Sequence, residues 1–484
     1  LTDEVTADDI LNLTVCEPAM GSAAFLNEAV NQLAEAYLTR KQQERGERIP
    51  HEDYQRELQR VKMHIADHNV YGVDLNPIAV ELAEVSLWLN ALSGGHNVPW
   101  FGYQLFSGNS LIGARREVYP VRALKKQAKE GLWYNQAPRR LPPETLTKPV
   151  GGRLAGRPDD GARADDEIYH FLLPDPGMVG YNDKVAKQLR PDAFKQIKEW
   201  KKAFCAPLDP SEIQILQSLS SAVDRLWREH TQMLAHDRKR TEDDHRLWGQ
   251  PQTESSHSST REKDAIHTSG IFNTHARMAS PYRRLKLAMD YWCALWFWPL
   301  DKVDQLPDRQ KWLFDLNTIL NSAGTFDFAP EQNSLLASAD ATERADATES
   351  SDETESADVT ASADATESTD AFAKPMADMF AADEAQLSLH EQNRPEARPE
   401  TQAAREVSNQ RGELNLEKLF KNPFFATLNI ANQLGEQYRF FHWELAFADI
   451  FAHRGGFDIT LGNPPWRKVE WQEGGVLGDH NPAF

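Results

Sequence analysis

The start of the chain alternates apolar and polar side chains and then changes to a helical spacing. Residues 11–16 alternate as a strand does, and the run ends at Glu17. Apolar side chains then recur every three or four positions, as on one face of a helix: Phe25, Ala29, Leu33, Ala36 and Tyr37. Gly21 lies in the turn between them, where glycine lets a ligand approach the backbone at a helix N-terminus. The pattern predicts a strand, a glycine-containing turn and a helix.

A second unit of the same kind follows. Residues 69–74 are a largely apolar run that ends in Asp74, and Asn76 and Pro77 are suited to cap and begin a helix. This helix has one apolar stripe, made of Ile78, Leu82, Val85, Leu89 and Leu92. An acid at the end of the second strand of a nucleotide-binding fold usually binds ribose hydroxyls. Asp74 is the candidate for that role, and the alternative is a favourable interaction with the helix dipole.

Two further loops extend this arrangement. Residues 106–111 contain Asn109 where a third strand would end, and residues 455–462 form a glycine-opened apolar run that predicts a buried strand before Asn463. In an open parallel sheet, ligands bind at the carboxyl ends of the strands. The sequence therefore predicts an α/β fold with these loops at one edge. His442 has no visible catalytic partner in the sequence, and we predict a core or positional role for it, with a catalytic role as the alternative.

The tetrad Asn463-Pro464-Pro465-Trp466 offers a specific chemistry. The Asn463 side-chain oxygen and the Pro464 carbonyl are two acceptors for the hydrogens of one planar amino group. Accepting both hydrogens would make the amine a better nucleophile. Trp466 offers a face for stacking a heteroaromatic base, worth roughly 1–3 kcal/mol. The tetrad predicts a pocket for a ring-bound exocyclic amine, while an ordinary turn beside an aromatic residue is the alternative.

The middle of the chain has a different composition. Residues 117–336 alternate basic stretches and helical patterns, and they predict a mainly helical insertion. Residues 337–409 are acidic and repetitive, so they cannot bury enough apolar surface to order themselves and are predicted to be disordered. The net charge of −20 argues against a nucleic-acid partner, but much of it lies in this segment. The remainder of the chain is only mildly acidic.

The cysteines and the apolar runs exclude several classes of protein. The three cysteines have no metal-ligand spacing, and we predict no metal site. The chain has no secretory signal at its start and no long uncharged apolar run, so a cytoplasmic protein without a membrane span is expected.

Four motifs, in this order, resemble the amino-group DNA methyltransferases. They are Glu17-Pro18-Ala19-Met20-Gly21-Ser22, Asp74-Leu75-Asn76-Pro77, Gly108-Asn109-Ser110-Leu111 and Asn463-Pro464-Pro465-Trp466. The likeness is narrower to the large adenine-N6 methyltransferases of bacterial restriction–modification and phage-defence systems, such as the DISARM and BREX types. It covers roughly the first 113 residues and the last 50.

This resemblance implies a Rossmann-like methyltransferase core made of residues 1–116 and 410–484, with S-adenosylmethionine as the methyl donor. It implies that Glu17, Pro18 and the turn from Ala19 through Gly21 to Ala23 hold the methionine end of the donor. Asp74 would hold the ribose and Asn109 the adenine, and Leu75, next to Asp74, would also belong to the donor site. Asn463, Pro464 and Pro465 would bind the target amine, and Trp466 would stack on a base rotated out of double-stranded DNA. Restriction or defence-system subunits are the implied partners.

Two departures from the family pattern affect these expectations. Ala23 stands where the family usually has a second glycine. The region that normally precedes the first strand and the recognition domain that normally follows the tetrad are absent, so we expect a fragment that alone binds the donor weakly and methylates nothing. Similar tetrads occur in methyltransferases of RNA and of protein glutamine. A non-catalytic DNA-binding subunit is the third possibility.

Overall fold

The computed structural model describes eight stretches of the chain, residues 5–92, 98–124, 132–141, 163–251, 258–273, 278–321, 399–408 and 413–463. The chain divides into two compact units, residues 1–323 with 406–484 and residues 324–405. Most of the second unit, which includes most of the predicted acidic segment, lies outside the described residues, as do Pro464, Pro465 and Trp466. The predicted division into domains stays a prediction.

The first unit contains a parallel sheet of four described strands. These are β1 (Val15–Glu17), β2 (Val70–Asp74), β3 (Leu105–Ser107) and β7 (Ile459–Thr460), in the order β3-β2-β1-β7. Val15 pairs with Val70 on one side and with Ile459 on the other. The strand order therefore reverses between β1 and β7, and in open α/β sheets this reversal opens a crevice at the carboxyl ends of the strands. The predicted α/β class with a parallel sheet is confirmed.

Four helices accompany the first two strands. They are α1 (Ala7–Leu11), α2 (Ala24–Arg45), α3 (His51–His68) and α4 (Pro77–Ala91). Buried apolar side chains of α2, α3 and α4, such as Val30, Val61 and Leu87, belong to one core with β1 and β2. As predicted, Asn76 caps α4 by accepting a hydrogen bond from the Ile78 amide at 3.1 Å, and Pro77 follows at the first helical position.

The apolar stripe of α4 does not face this core. Its side chains are 46–62% exposed, for example Ile78 at 62% and Leu89 at 60%, whereas Ala83 and Leu87 on the other face are buried. β7 also departs from the expectation of a buried strand. It is only two residues long and both residues are exposed, because among the described strands it pairs with β1 alone.

The described residues between 117 and 321 are mainly helical, and they also contain a small antiparallel sheet that the sequence did not indicate. This sheet has the order β5-β4-β6 and consists of β4 (Glu117–Pro120), β5 (Arg139–Arg140) and β6 (Glu167–Tyr169). The helices are α5 (Val121–Leu124), α6 (Lys184–Leu189), α7 (Pro191–Phe204), α8 (Pro210–Thr241), α9 (Thr260–Ser269), α10 (Pro281–Ala294) and α11 (Arg309–Asn321).

The last described helices lead back to the parallel sheet. They are α12 (Pro399–Glu406), α13 (Leu416–Lys421), α14 (Ala426–Tyr438), α15 (Trp443–Ala446) and α16 (Ala448–Arg454). Short 3-10 helices occur at Trp133–Asn135, His170–Leu172, Leu300–Gln305 and Pro423–Phe425. A buried ion pair joins the insertion to this part, since Arg238 Nε of α8 lies 2.5 Å from Asp449 Oδ2 of α16. None of the described helices is both long and apolar enough to cross a bilayer.

Candidate active site

The turn after β1 is wound tightly against β2. The Met20 amide donates to the Val73 carbonyl at 3.1 Å, and a side chain at Gly72 would collide with Met20 Sδ, 2.3 Å from the position of an added Cβ. Gly21 and Ala23 both have left-handed backbones, with φ of 55° and 63°. This explains the family's glycine at the position of Ala23, because a residue with a Cβ loses roughly 1–2 kcal/mol there. Ala23 is buried and begins α2 without a side-chain cap.

Glu17 is buried at the end of β1 beside this turn. Its side-chain atom Oε2 is inaccessible to solvent and has no hydrogen-bond partner in the described part of the chain. Burial raises the pKa of the carboxyl to about 7, a hydrogen bond from the Leu26 backbone opposes the shift, and the negative charge of Asp74 adds to it. A buried acid with an unused oxygen is suited to a cationic partner, which would satisfy both its charge and its lone pairs.

Asp74 joins the turns after β1 and β2. Its Oδ2 accepts a hydrogen bond from the Gly21 amide at 2.8 Å, and its Oδ1 accepts one from the Asn76 amide at 2.8 Å. Each carboxylate oxygen keeps a second lone pair with which a hydroxyl group can bond. Leu75, the next residue, is 55% exposed and presents an apolar side chain at the same edge.

Asn109 follows β3 in a loop that is held from the side by residues 439–443. The Asn109 amide donates to the Arg439 carbonyl at 2.7 Å, and its side-chain oxygen accepts from the Leu111 amide at 3.1 Å. The guanidinium of Arg439 donates to the Leu75 carbonyl at 3.0 Å and to the Ser107 hydroxyl at 2.7 Å. Arg439 therefore fixes the loops after β2 and β3 relative to each other.

His442 completes the support of the Asn109 loop. Its Nδ1 accepts a hydrogen bond from the Ala114 amide at 2.9 Å, its Nε2 lies 2.9 Å from Asp290 Oδ1, and the ring is buried. Trp443 Nε1 donates to the Ser110 carbonyl at 3.0 Å. The positional role predicted for His442 is confirmed. Sequence reasoning missed the supporting roles of Arg439 and Trp443, for which the aromatic run at 438–443 was the available signal.

Asn463 follows β7 and is exposed. The Leu461 amide donates to the Cys16 carbonyl at 2.9 Å, so the chain that leads to Asn463 runs along the end of β1 beside Glu17. Glu17 and Asp74 thus end β1 and β2, and Asn109 and Asn463 follow β3 and β7, so all four lie at the carboxyl ends of four adjacent parallel strands. In the turn after β1, Pro18 is half-buried and Ala19 is exposed. The remaining tetrad residues lie outside the described part.

Comparison with known proteins gives one informative similarity. No family model matches the chain, and no solved structure does. A protein of Methanocaldococcus jannaschii, named as a type II restriction enzyme and methyltransferase, is 31% identical over 120 residues. The chain is thus similar to a restriction–modification methyltransferase. The match covers 22% of this chain and 9% of that protein.

Proposed function

We propose that this chain forms the donor-binding and catalytic core of a DNA methyltransferase that uses S-adenosylmethionine and modifies N6 of adenine in a restriction–modification or phage-defence system. The observation that carries the proposal is the placement of Glu17, Asp74, Asn109 and Asn463 at the carboxyl ends of four adjacent parallel strands, around the point where the strand order reverses. The similarity to a protein named as a restriction enzyme and methyltransferase supports methyl transfer. The order of the motifs supports adenine as the target.

The residues around β1 fit the methionine end of the donor. Bound S-adenosylmethionine supplies an electrophilic methyl group on a sulfonium. Glu17 has a buried oxygen without a hydrogen-bond partner in the described residues, and the ammonium group of an amino acid is a cation that suits it. The backbone of residues 19–23, at the N-terminus of α2, suits the carboxylate of the same amino acid.

The neighbouring loops fit the nucleoside part. Asp74 has one lone pair on each oxygen beyond those used by the Gly21 and Asn76 amides, and two adjacent ribose hydroxyls match such a carboxylate. The exposed Leu75 offers an apolar contact for the adenine ring. The Asn109 oxygen is used by Leu111, so the side-chain amide of Asn109 acts as a donor toward the base.

Asn463 and Pro464 act on the target amine in this proposal. As hydrogen-bond acceptors they hold the two amine hydrogens, orient the nitrogen and increase its electron density. Trp466 stacks on the extruded base. The contribution of the chain is alignment and electrostatics, which together account for a large part of the rate in reactions of this type.

The test is methyl transfer from labelled S-adenosylmethionine to DNA by the full-length protein, followed by nucleoside analysis. We expect N6-methyladenine from the wild type, and a decrease of about 100-fold or more in Asn463→Ala, because loss of one transition-state hydrogen-bonding group commonly has that effect. Asn182→Ala is the matched control, since Asn182 is exposed and lies in the insertion, and it should retain wild-type activity.

Three outcomes would contradict the proposal. Label in RNA or on protein glutamine would establish the other substrate classes, and donor binding without transfer to any of them would indicate a non-catalytic subunit.

Donor binding can be measured separately by calorimetry, through the proton that it releases. Because the Glu17 carboxyl has a pKa of about 7, binding of the donor's ammonium should release a proton near pH 6.5 in the wild type but not in Glu17→Gln.

A further inference from the structure

A group of histidines lies at the C-terminal end of α3, away from the candidate active site. His64, Asp67 and His68 occupy positions i, i+3 and i+4, so they share one side of this helix. His245, from the segment that follows α8, meets them. The side chain of Asp67 is 1% exposed, that of His245 is 7% exposed and that of His68 is 20% exposed. Two parts of the chain that are distant in sequence thus bring imidazoles to one buried carboxylate.

The separations within this group are close to those of ligands around one metal ion. His245 Nε2 lies 3.6 Å from Asp67 Oδ2. Two ligands at about 2.1 Å from a tetrahedral zinc ion are roughly 3.4 Å apart. One potential ligand atom from each of Asp67, His68 and His245 lies within 4.8 Å of the other two. A contraction of at most about 1.4 Å in these separations therefore converts the group into a coordination shell.

His64 supplies a second, independent observation. Its ring stacks on His68 with a centroid distance of 4.2 Å and meets His245 edge-on at 5.9 Å. Its Nδ1 is inaccessible to solvent and has no hydrogen-bond partner in the described part of the chain. His68 Nδ1 lies 2.9 Å from the His64 carbonyl, and backbone carbonyls commonly orient metal-bound imidazoles in this way. A buried imidazole nitrogen without a hydrogen-bond partner in the described residues, on a ring packed against His68 and His245, is a second observation that points to a ligand at this group.

The surrounding charges permit a divalent cation. Lys263 Nζ lies 4.0 Å from Asp67 Oδ1, but it is paired with Asp243 Oδ2 at 2.9 Å, so its charge is balanced. The Asp67 carboxylate therefore supplies a negative charge beside the imidazoles that the Lys263–Asp243 pair does not cancel. A shell of imidazole nitrogens and one carboxylate oxygen is typical of zinc.

We propose that Asp67, His68 and His245 bind one Zn²⁺ ion. Three protein ligands leave one position of a tetrahedral ion for a further ligand, and the buried His64 ring packs against the rings of His68 and His245. His68 precedes β2, whereas Asp74 ends it, so the ion lies at the edge of the sheet opposite the candidate active site. Its role is to fix the segment after α8 to α3. The sequence predicted no metal because cysteine spacing was the signal considered and His245 is remote from α3 in the chain.

The experiment uses the full chain, purified without a polyhistidine tag and treated with a chelator. Zn²⁺ is then titrated in competition with a chromogenic chelator, and Co²⁺ is added separately. We expect one Zn²⁺ per chain with a Kd below roughly 1 μM. Bound Co²⁺ should show absorption bands of the intensity typical of tetrahedral coordination. His245→Gln and Asp67→Asn should each weaken binding about 100-fold or more. His236→Ala, a change of an exposed histidine on α8, is the matched control and should bind like the wild type.

Thermal unfolding gives the second readout. Zn²⁺ should raise the Tm of the wild type and of His236→Ala by several degrees, and it should not raise that of His245→Gln. Circular dichroism of each variant without metal establishes that it is folded. Weak binding without defined stoichiometry, or equal binding by folded His245→Gln and wild type, would overturn the proposal and leave the group as a buried polar cluster around Asp67.

Discussion

Asp290 of the insertion and Glu17 of the parallel sheet are both buried carboxyl groups, and they differ in what surrounds them. Asp290 Oδ2 lies 2.6 Å from Lys286 Nζ, and its Oδ1 lies 2.9 Å from His442 Nε2. Burial raises the pKa of Asp290, but the charge of Lys286 and the contacts with His442 outweigh it, and the pKa is lowered. The pKa of Glu17, whose Oε2 has no hydrogen-bond partner in the described chain, is raised to about 7.

The difference separates a buried carboxyl group that stabilises the fold from one that is suited to bind a ligand. Both oxygens of Asp290 have partners within the chain, so this carboxylate needs no outside ligand. Its role is to hold the Asn109 loop through His442. Glu17 is incomplete, and an incomplete buried acid indicates a partner that comes from outside. Removal of Asp290 should therefore damage the fold, while neutralisation of Glu17 should damage binding and stabilise the fold.

The largest effect is expected from Asp290→Ala. This change leaves Lys286 without its carboxylate and His442 without its hydrogen-bond partner, and breaking a buried pair on one side typically costs about 3–5 kcal/mol. Urea unfolding of the variant and the wild type measures the change. Asp304→Ala, which removes an exposed acid, should stay within about 0.5 kcal/mol of the wild type. A loss below 1 kcal/mol for Asp290→Ala would remove the contrast with Glu17.

Glu17→Gln should have the opposite sign and should depend on pH. A carboxyl whose pKa rises from 4.5 to about 7 on folding keeps its proton in the folded state, so the free energy of unfolding of the wild type falls as pH increases through that window. The variant has no carboxyl at this position, so its free energy of unfolding does not show this decrease. It should gain up to about 3 kcal/mol over the wild type at pH 8 and nothing at pH 4.

The matched control for this prediction is Glu35→Gln on α2, where the acid is exposed. Its stability difference from the wild type should be the same at both pH values. Denaturant unfolding across pH 4 to 8 gives the curves. A difference between Glu17→Gln and the wild type that does not grow with pH would contradict the assignment of Glu17 as the incomplete acid.

Asp74→Asn should have an intermediate effect. The carboxylate accepts hydrogen bonds from the Gly21 and Asn76 amides, one with each oxygen. An asparagine has a single acceptor oxygen, so its NH₂ group would face the second backbone N–H, which is also a donor. We expect a loss of about 1–2 kcal/mol in the free energy of unfolding. Affinity for S-adenosylmethionine, measured by calorimetry, should fall more than stability does. Unchanged affinity with reduced stability would make Asp74 a structural acid like Asp290.

Asn463→Ala should have the smallest effect on the fold. The side chain is exposed, and exposed substitutions usually change stability by less than about 0.5 kcal/mol. Thermal unfolding of this variant should therefore match the wild type, which makes its expected loss of methyl transfer a catalytic defect. A clear decrease in Tm would mean that the loss of transfer reports on folding instead.

The sequence predicted those parts of the fold that depend on local patterns. The strands that end at Glu17 and Asp74, the cap formed by Asn76, and the placement of Asn109 after a third strand all follow from periodicity and turn chemistry. The positional role of His442 was predicted from the absence of a catalytic partner.

Other features could not be predicted because they depend on pairs that are remote in sequence. The aromatic run at 438–443 marks the segment that contains Arg439 but does not show that it contacts the Asn109 loop. The meeting of His64 with His245 has no local signal. The exposure of the α4 stripe and of β7 was missed for a related reason. Periodicity shows that a helix or strand has an apolar face, but it does not show what packs against that face.

The pairing of β1 with β7 also sets the order in which the molecule can be built. Thr14 donates a hydrogen bond to Asp458 Oδ2 at 2.8 Å across 444 positions of sequence. At typical rates of protein synthesis, β7 emerges roughly 20–90 s after β1. During that interval β1 can pair with β2, while its other edge stays unpaired and open to other chains. Among the described strands, β7 is therefore the last to join the sheet, and synthesis of residues 108–458 must precede its pairing.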